Sequence, residues 1–332
     1  MSARRAPLTR RRLAASLALG ALLLAAALFA GAALGPSGIG LDALWGEPTA
    51  RTLLVEVRLP RVASAAVLGA ALAVAGVGFQ ALLRNPLADP YVLGVSGGAS
   101  LGGALALVAG AASASVPVAA FVGALVSLAA LERVARVGGR TNVYTLLLTG
   151  AIFNAVSAAL LLFLQSFAAG EELHALIFYL MGRVPALPGR ELALGAVAVV
   201  AATLLLGARG RELNALAFGE EGAAQLGVDV ERLKRVVLVA GSLLTGLAVA
   251  RAGMIGFVGL VVPHLLRLAG GPDHRRLVPL AALVGAAGLV GADLVARTAM
   301  APRELPVGVV TALVGGPFFL LLLRRRARTD DV

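Results

Sequence analysis

The chain has no cysteine, a single lysine, a single tryptophan and 5% aromatic residues, and only 14% of its 332 residues are charged. Without cysteine there can be no disulfide, thiolate metal site or cysteine nucleophile. The scarcity of charge, against roughly 25% in an ordinary soluble domain, excludes a water-soluble globular enzyme. A phosphate-cradling loop needs a lysine after its last glycine, and the one lysine sits in Arg232-Leu-Lys-Arg235, so this chain does not hold ATP in that way. The histidines, His174, His264 and His274, are scattered with no His-Glu-x-x-His helix, which leaves no zinc-protease pattern. Ser96 lies in Gly94-Val-Ser-Gly-Gly98 but on no strand-to-helix elbow, so helix packing is its expected role.

What the sequence has in abundance is apolar length. Hydrophobic residues make up 59% of the chain and the mean hydropathy is +0.91. Apolar runs fall at about 13–34, 61–83, 91–110, 115–135, 142–168, 189–207, 233–250, 254–269, 277–299 and 307–323, which predicts an all-α polytopic membrane protein of ten transmembrane helices. Helices are required because lipid offers no partners for backbone groups, and a barrel would show alternating ten-residue strands instead. The first run follows Arg4, Arg5 and Arg10 to Arg12, the charge order of a secretory signal, yet it exceeds a signal core of about 7–15 residues and reads as a span. The eighth, short and carrying Pro263, His264 and Arg267, is expected to be partial or broken, tolerable only where protein buries it.

The formal net charge of +11 needs no nucleic-acid partner, because basic residues mark cytoplasmic loops in such proteins. Of the 29 Lys and Arg, 21 fall in the N-terminal segment, 84–90, 132–141, 208–235, 267–276 and the C-terminal tail, and 8 on the other side, which predicts both termini in the cytoplasm. Gln80, Asn154, Gln165 and Asp293 lie in or near spans and should face the bundle interior. Asp293 and Arg297 have the i,i+4 spacing of a local ion pair near a helix end. Acids inside the spans are few, which makes an ion-coupled secondary transporter the second reading rather than the first. Gly94, Gly98 and Gly102 recur every four residues and predict a close helix–helix seam. Between Arg209 and Arg235, Gly219, Gly222 and Gly227 break a helix-forming stretch into two short helices with a bend, with Leu213, Leu216, Phe218 and Leu226 exposed for a partner groove.

Several longer motifs, in one order, resemble a known family. Arg58-Leu-Pro-Arg61, the run from Gln80 to Ala99 containing Asn85-Pro-Leu87, the stretch from Leu213 to Gly227, Gly256-Phe-Val-Gly-Leu-Val-Val-Pro-His264, Gly271-Pro-Asp-His274 and Glu304-Leu-Pro-Val-Gly308 are similar to the permeases of iron-siderophore, haem and vitamin B12 importers, the FecCD family. The resemblance runs from about residue 50 to the C-terminus. It implies one permease domain over 1–332, with a basic cytoplasmic N-terminus (1–12), cytoplasmic coupling helices (208–232) and a cytoplasmic tail (324–332), in the cytoplasmic membrane. It also implies a second, identical permease chain, two cytoplasmic ATPase subunits that carry all hydrolysis, and a periplasmic or lipid-anchored binding protein. No cofactor or resident metal is expected, and the cargo would be a ferric siderophore, haem or a cobalamin-like chelate. Carried over residue by residue, Arg58 and Arg297 would meet acidic residues of the binding protein. Leu213, Leu216, Phe218, Gly219, Glu220, Gly222, Gln225, Leu226 and Gly227 would couple to the ATPase, and Asn85, Leu87, Thr141 and Asn142 would adjoin a cytoplasmic gate.

Overall fold

A computed structural model describes residues 9–36, 38, 40–112 and 114–330. Arg4 and Arg5 of the basic N-terminal segment and the last two residues of the tail lie outside the described residues. The helices run α1 (Arg10–Ala33), α2 (Pro48–Thr52), α3 (Leu59–Leu82), α4 (Val95–Val108), α5 (Val116–Ala135), α6 (Val143–Phe167), α7 (Gly170–Met181), α8 (Gly189–Ala208), α9 (Gly210–Leu216), α10 (Glu220–Gln225), α11 (Val230–Ala252), α12 (Val258–Gly270), α13 (His274–Thr298) and α14 (Val307–Asp330). Among the described residues the one strand pair is a two-residue hairpin, β1 (Arg136–Val137) with β2 (Arg140–Thr141). Seven of the helices are long and apolar enough to cross a membrane, and α4, α12 and the apolar part of α14 are shorter. These ten are the ten runs read from the sequence.

Local chemistry sets the boundaries. The side chains of Thr9, Asn142, Asp229 and Asp273 accept backbone N–H groups at the starts of α1, α6, α11 and α13, satisfying donors that a first turn leaves orphaned. A π-helical stretch, Leu53–Arg58, runs α2 into α3 without a break, so the second helical rod reaches well before residue 61. Helix α7 lies in what the apolar runs leave as a connection. The eighth span is indeed short: Phe257 sits in the left-handed region at φ 68°, and α12 starts only after it. Its non-helical approach is buried in protein, where Ile255 N–H donates to the Tyr91 hydroxyl at 2.9 Å and Arg183 N–H to the Ala252 carbonyl at 2.7 Å.

The core sits around α3, whose apolar window is 83% buried, flanked by α11 and α13, while α1, α6 and α8 turn most of their surface outward. Small residues allow this density. A Cβ on Gly76 of α3 would collide with the Gly259 carbonyl of α12, and one on Gly69 with the Gly285 carbonyl of α13. The seam expected along α4 is present against α5, where Gly98 and Gly102 abut the backbones of Gly123 and Ala119. Gly94 is not part of it. That residue precedes α4 with φ 80° and abuts Gly150 of α6, so the four-residue spacing carried over one position too far. Gly76→Ala is expected to force α3 and α12 apart and to destabilise the protein by about 1–3 kcal/mol, read as a lower melting temperature of the purified protein; an unchanged melt would mean that the crossing relaxes freely.

Candidate functional site

Two polar regions stand at opposite ends of the apolar bundle. At the end where α1 and α13 finish and α3 begins, five charged side chains meet. Asp293 accepts from Arg61 Nε at 3.0 Å and from Arg297 Nε at 2.9 Å, and Arg61 also holds Glu304 at 2.8 Å. The i,i+4 pair of Asp293 and Arg297 is thus real, with a third member from α3 that sequence spacing could not supply. Arg58 and Arg297, expected to meet acidic residues of a binding protein, are 8% and 3% exposed. Each is turned inward: Arg58 Nη1 donates to the Ala32 carbonyl at 3.2 Å and Arg297 Nη2 to the Gly31 carbonyl at 3.2 Å. The last carbonyls of α1 are orphans at the negative end of its dipole, and two guanidinium groups satisfy them. Helix capping thus draws both side chains into the protein.

The other end carries the bent segment. Helices α9 and α10 are separated by Gly219 at φ 95° and ψ 166°, a conformation essentially restricted to glycine, and Gly227 at φ 81° ends the pair. The expected two short helices with a bend are present. Their expected exposure is only half right: Phe218 and Leu226 are 78% and 67% exposed, whereas Leu213 and Leu216 are buried. The reason is that α9 lies flat on α13 and α3, so its apolar side is core. Asn214 fixes it there, donating from Nδ2 to Asp273 at 2.9 Å and accepting the His274 N–H at 2.9 Å. The Arg275 guanidinium beside Asp273, helped by the Asn214 amide, holds that carboxyl down at about 2. Glu220 and Gly222 lie on α10 with Gln225, and a Cβ on Gly222 would press against Phe218 at 3.3 Å. Next to Leu226 and Gly227 opens a cleft of about 600 Å³ lined by Arg209, Arg211, Glu212, Asp229 and Arg232.

The four residues expected to adjoin a gate, Asn85, Leu87, Thr141 and Asn142, lie at the same end. Asn85 makes a local turn, its Oδ1 accepting the Leu87 N–H at 2.9 Å. Arg84, one residue earlier, has its guanidinium against Gly219. Asn142 caps α6, accepting from the Tyr144 and Thr145 N–H groups at 2.9 and 3.1 Å. Thr141 is drawn to the base of α11, where Glu231 accepts its N–H at 2.8 Å and Lys234 donates to its carbonyl at 2.8 Å. Sequence reasoning passed over Asn214, Glu231 and Lys234, although a lone lysine among 29 basic residues was a visible signal.

Between the ends, Gln80 and Asn154 tie elements together, whereas Gln165 is partly exposed. Gln80 donates to the Ala88 and Gly259 carbonyls at 3.1 and 3.3 Å and accepts from Arg267, tying α3 to α12. Asn154 of α6 donates to the Tyr91 carbonyl at 2.7 Å. Among the described residues no group of histidine, aspartate and glutamate is placed to hold a metal ion.

Comparison with known proteins places this arrangement. A sequence profile of the FecCD transport family matches residues 17–325. An uncharacterised ABC transporter permease protein of Bacillus subtilis, YvrB, is 41% identical over 288 residues, covering 85% of this chain and 81% of its own. The cobalamin import system permease protein BtuC of Halobacterium salinarum is 44% identical over 284 residues, covering 85% of this chain and 76% of its own. In three dimensions the chain matches a solved structure described as an inward-facing conformation of a metal-chelate type ABC transporter, with a TM-score of 0.85 and 31% identity over 93% of this chain and 98% of that one.

Proposed function

The chain belongs to the FecCD transport family, and from that premise we propose that it is the membrane-spanning subunit of an ATP-driven, binding-protein-dependent importer for a ferric siderophore, haem or cobalamin-like chelate. The observation that carries this reading is the bent pair α9–α10. It presents two bare apolar side chains, Phe218 and Leu226, beside a charged cleft at the end richest in basic residues. A passive loop would not hold such side chains outward, whereas a partner groove would bury them. We place that end in the cytoplasm, with both termini, on the asymmetry of Lys and Arg.

In this reading the ATPase subunits bind and hydrolyse ATP, and this chain supplies the path. Closure of the ATPase pair displaces α10 about the Gly219 bend, and two permease chains rock between outward-open and inward-open states. The opposite end, around Arg58, Arg61, Arg297 and Glu304, faces the binding protein. Glu304 and the loop 299–306, with the exposed Arg303, supply the exposed part of that face, and charge pairing there would steer encounter more than it adds affinity. Asp293, the acid buried in the spans, has both oxygens bound by arginine, the arrangement of a structural ion pair.

Gentle purification of the tagged chain from its native membranes tests the assignment. A co-purifying P-loop ATPase and binding protein are expected, with a bound chelate whose absorbance sorts siderophore, haem and corrinoid; a lone chain that transports under an ion gradient would overturn it. Gly219→Val should force the bend out of its glycine-only conformation at about 1–3 kcal/mol, and the cargo imported per ATP hydrolysed should fall. If that ratio holds at the wild-type value, the bend is not part of the coupling element.

A further inference from the structure

We propose that Lys234 is a positioning residue that ties the bent cytoplasmic helices to the foot of α6, so that displacement of α10 is passed to that helix. The inference rests on the permease reading above. Lys234 lies in the second turn of α11 and is 2% exposed. Its ammonium group has three hydrogens, and three acceptors on three elements take them. These are Glu220 Oε2 of α10 at 2.5 Å, Glu231 Oε1 of α11 at 3.0 Å and the Thr141 carbonyl of β2 at 2.8 Å. Glu231 closes the ring, since its second oxygen accepts the Thr141 N–H at 2.8 Å. The Thr141 residue is therefore gripped at both its N–H and its C=O, and the next residue, Asn142, is the cap of α6.

Two features make this a linkage rather than a plug. The carboxylates are not buried for want of the lysine: the Glu220 and Glu231 side chains are 38% and 30% exposed and stay hydrated without it. A buried apolar side chain of similar volume would fill the site at lower desolvation cost, so what the ammonium adds is directional connection between elements. Second, α6 is lightly held along its length, with 22% of its apolar window buried within the chain. Besides the close packing of Gly150 and Asn154 on the 91–94 segment, its fixed point is its foot, which Lys234 holds. Arg84 against Gly219 is the neighbouring contact on the other side of the bend, but it reaches the 84–90 loop and not α6.

The absence of cysteine from this chain makes the test direct, because it takes spin labels only where cysteines are introduced and is labelled before the ATPase subunits are added. Labels at the exposed positions Ala224 on α10 and Tyr144 on α6 are each measured against one at Arg303 in the external loop, in the complex with its ATPase subunits, nucleotide-free and ATP-bound. In the wild-type background both distances are expected to shift together with ATP. In K234M the Ala224 shift should persist while the Tyr144 shift is lost. K234R keeps the charge, but a planar guanidinium cannot serve three acceptors around one nitrogen, so it should lose the shift as well. E220Q, at a partly exposed position, tests the same link from α10 if K234M does not fold, and a reduced Tyr144 shift is expected. A Tyr144 shift that survives K234M or K234R, or that is undiminished in E220Q, overturns the linkage, as does a wild-type Ala224 shift without one at Tyr144. If no ATPase associates and ATP moves neither label, the permease reading fails and this inference falls with it.

Discussion

Asp293→Leu should lower folding stability by about 3–5 kcal/mol, the usual cost of stranding one side of a buried ion pair. The carboxylate is 1% exposed and is shared by Arg61 and Arg297, so its removal strands two guanidinium groups at once. Arg61 would keep Glu304, but Arg297 would keep only the Gly31 carbonyl and lie desolvated beside Arg58. Three elements depend on this carboxylate: the end of α1, the start of α3 and the end of α13. The comparison variant is Glu304→Gln, whose side chain is 37% exposed and can recover water, so its effect should stay near the small value of a surface pair. Thermal unfolding of the purified protein should therefore rank wild type and E304Q together and D293L well below. Equal melting of all three would show that the cluster contributes little to the fold.

The largest functional effect is expected at the other end. Changing Phe218 and Leu226 together to aspartate should weaken association with the ATPase subunits at least ~100-fold, equivalent to roughly 3 kcal/mol. Fully burying one large apolar side chain is worth about 1.5–3 kcal/mol, and aromatic anchors dominate such interfaces. The fold itself should be untouched, because both side chains already stand in solvent. Leu213→Asp is the instructive contrast, since Leu213 is 1% exposed and belongs to the core, so that change should unfold α9 rather than spoil an interface. Titration of purified ATPase subunits onto immobilised permease separates the cases; wild-type affinity in the double variant would remove the bent segment from the interface.

The sequence displayed the architecture because length and hydrophobicity govern insertion into lipid. Ten runs were enough to place ten apolar helices, and Pro263 with Arg267 marked the short one. Glycine-only geometry at Gly219 was legible from spacing, as was the ion pair of Asp293 with Arg297, because both are local. Most of the misses share a cause in long-range contact, but one is local. Helix α7 is twelve residues with Glu171 and Glu172 in its first turn, too short and polar to read as a span. The burial of Leu213 and Leu216 depends on α13, some sixty residues away in the chain. Arg58 and Arg297 find the end of α1 across 26 and 266 residues, and no periodicity on their own helices announces it. Lys234 likewise gains its meaning only from Glu220 and Thr141.

The central claim, that this chain passes cargo only when partner subunits hydrolyse ATP, is tested most directly in sealed liposomes. The chain is reconstituted with its co-purified ATPase and binding protein, and uptake of the co-purified chelate is measured with ATP inside, with a non-hydrolysable analogue, and with ion gradients alone. Uptake that requires hydrolysis and vanishes when the ATPase subunits are omitted is the predicted result. Uptake by the permease chain alone, driven by a proton or sodium gradient, would contradict the account.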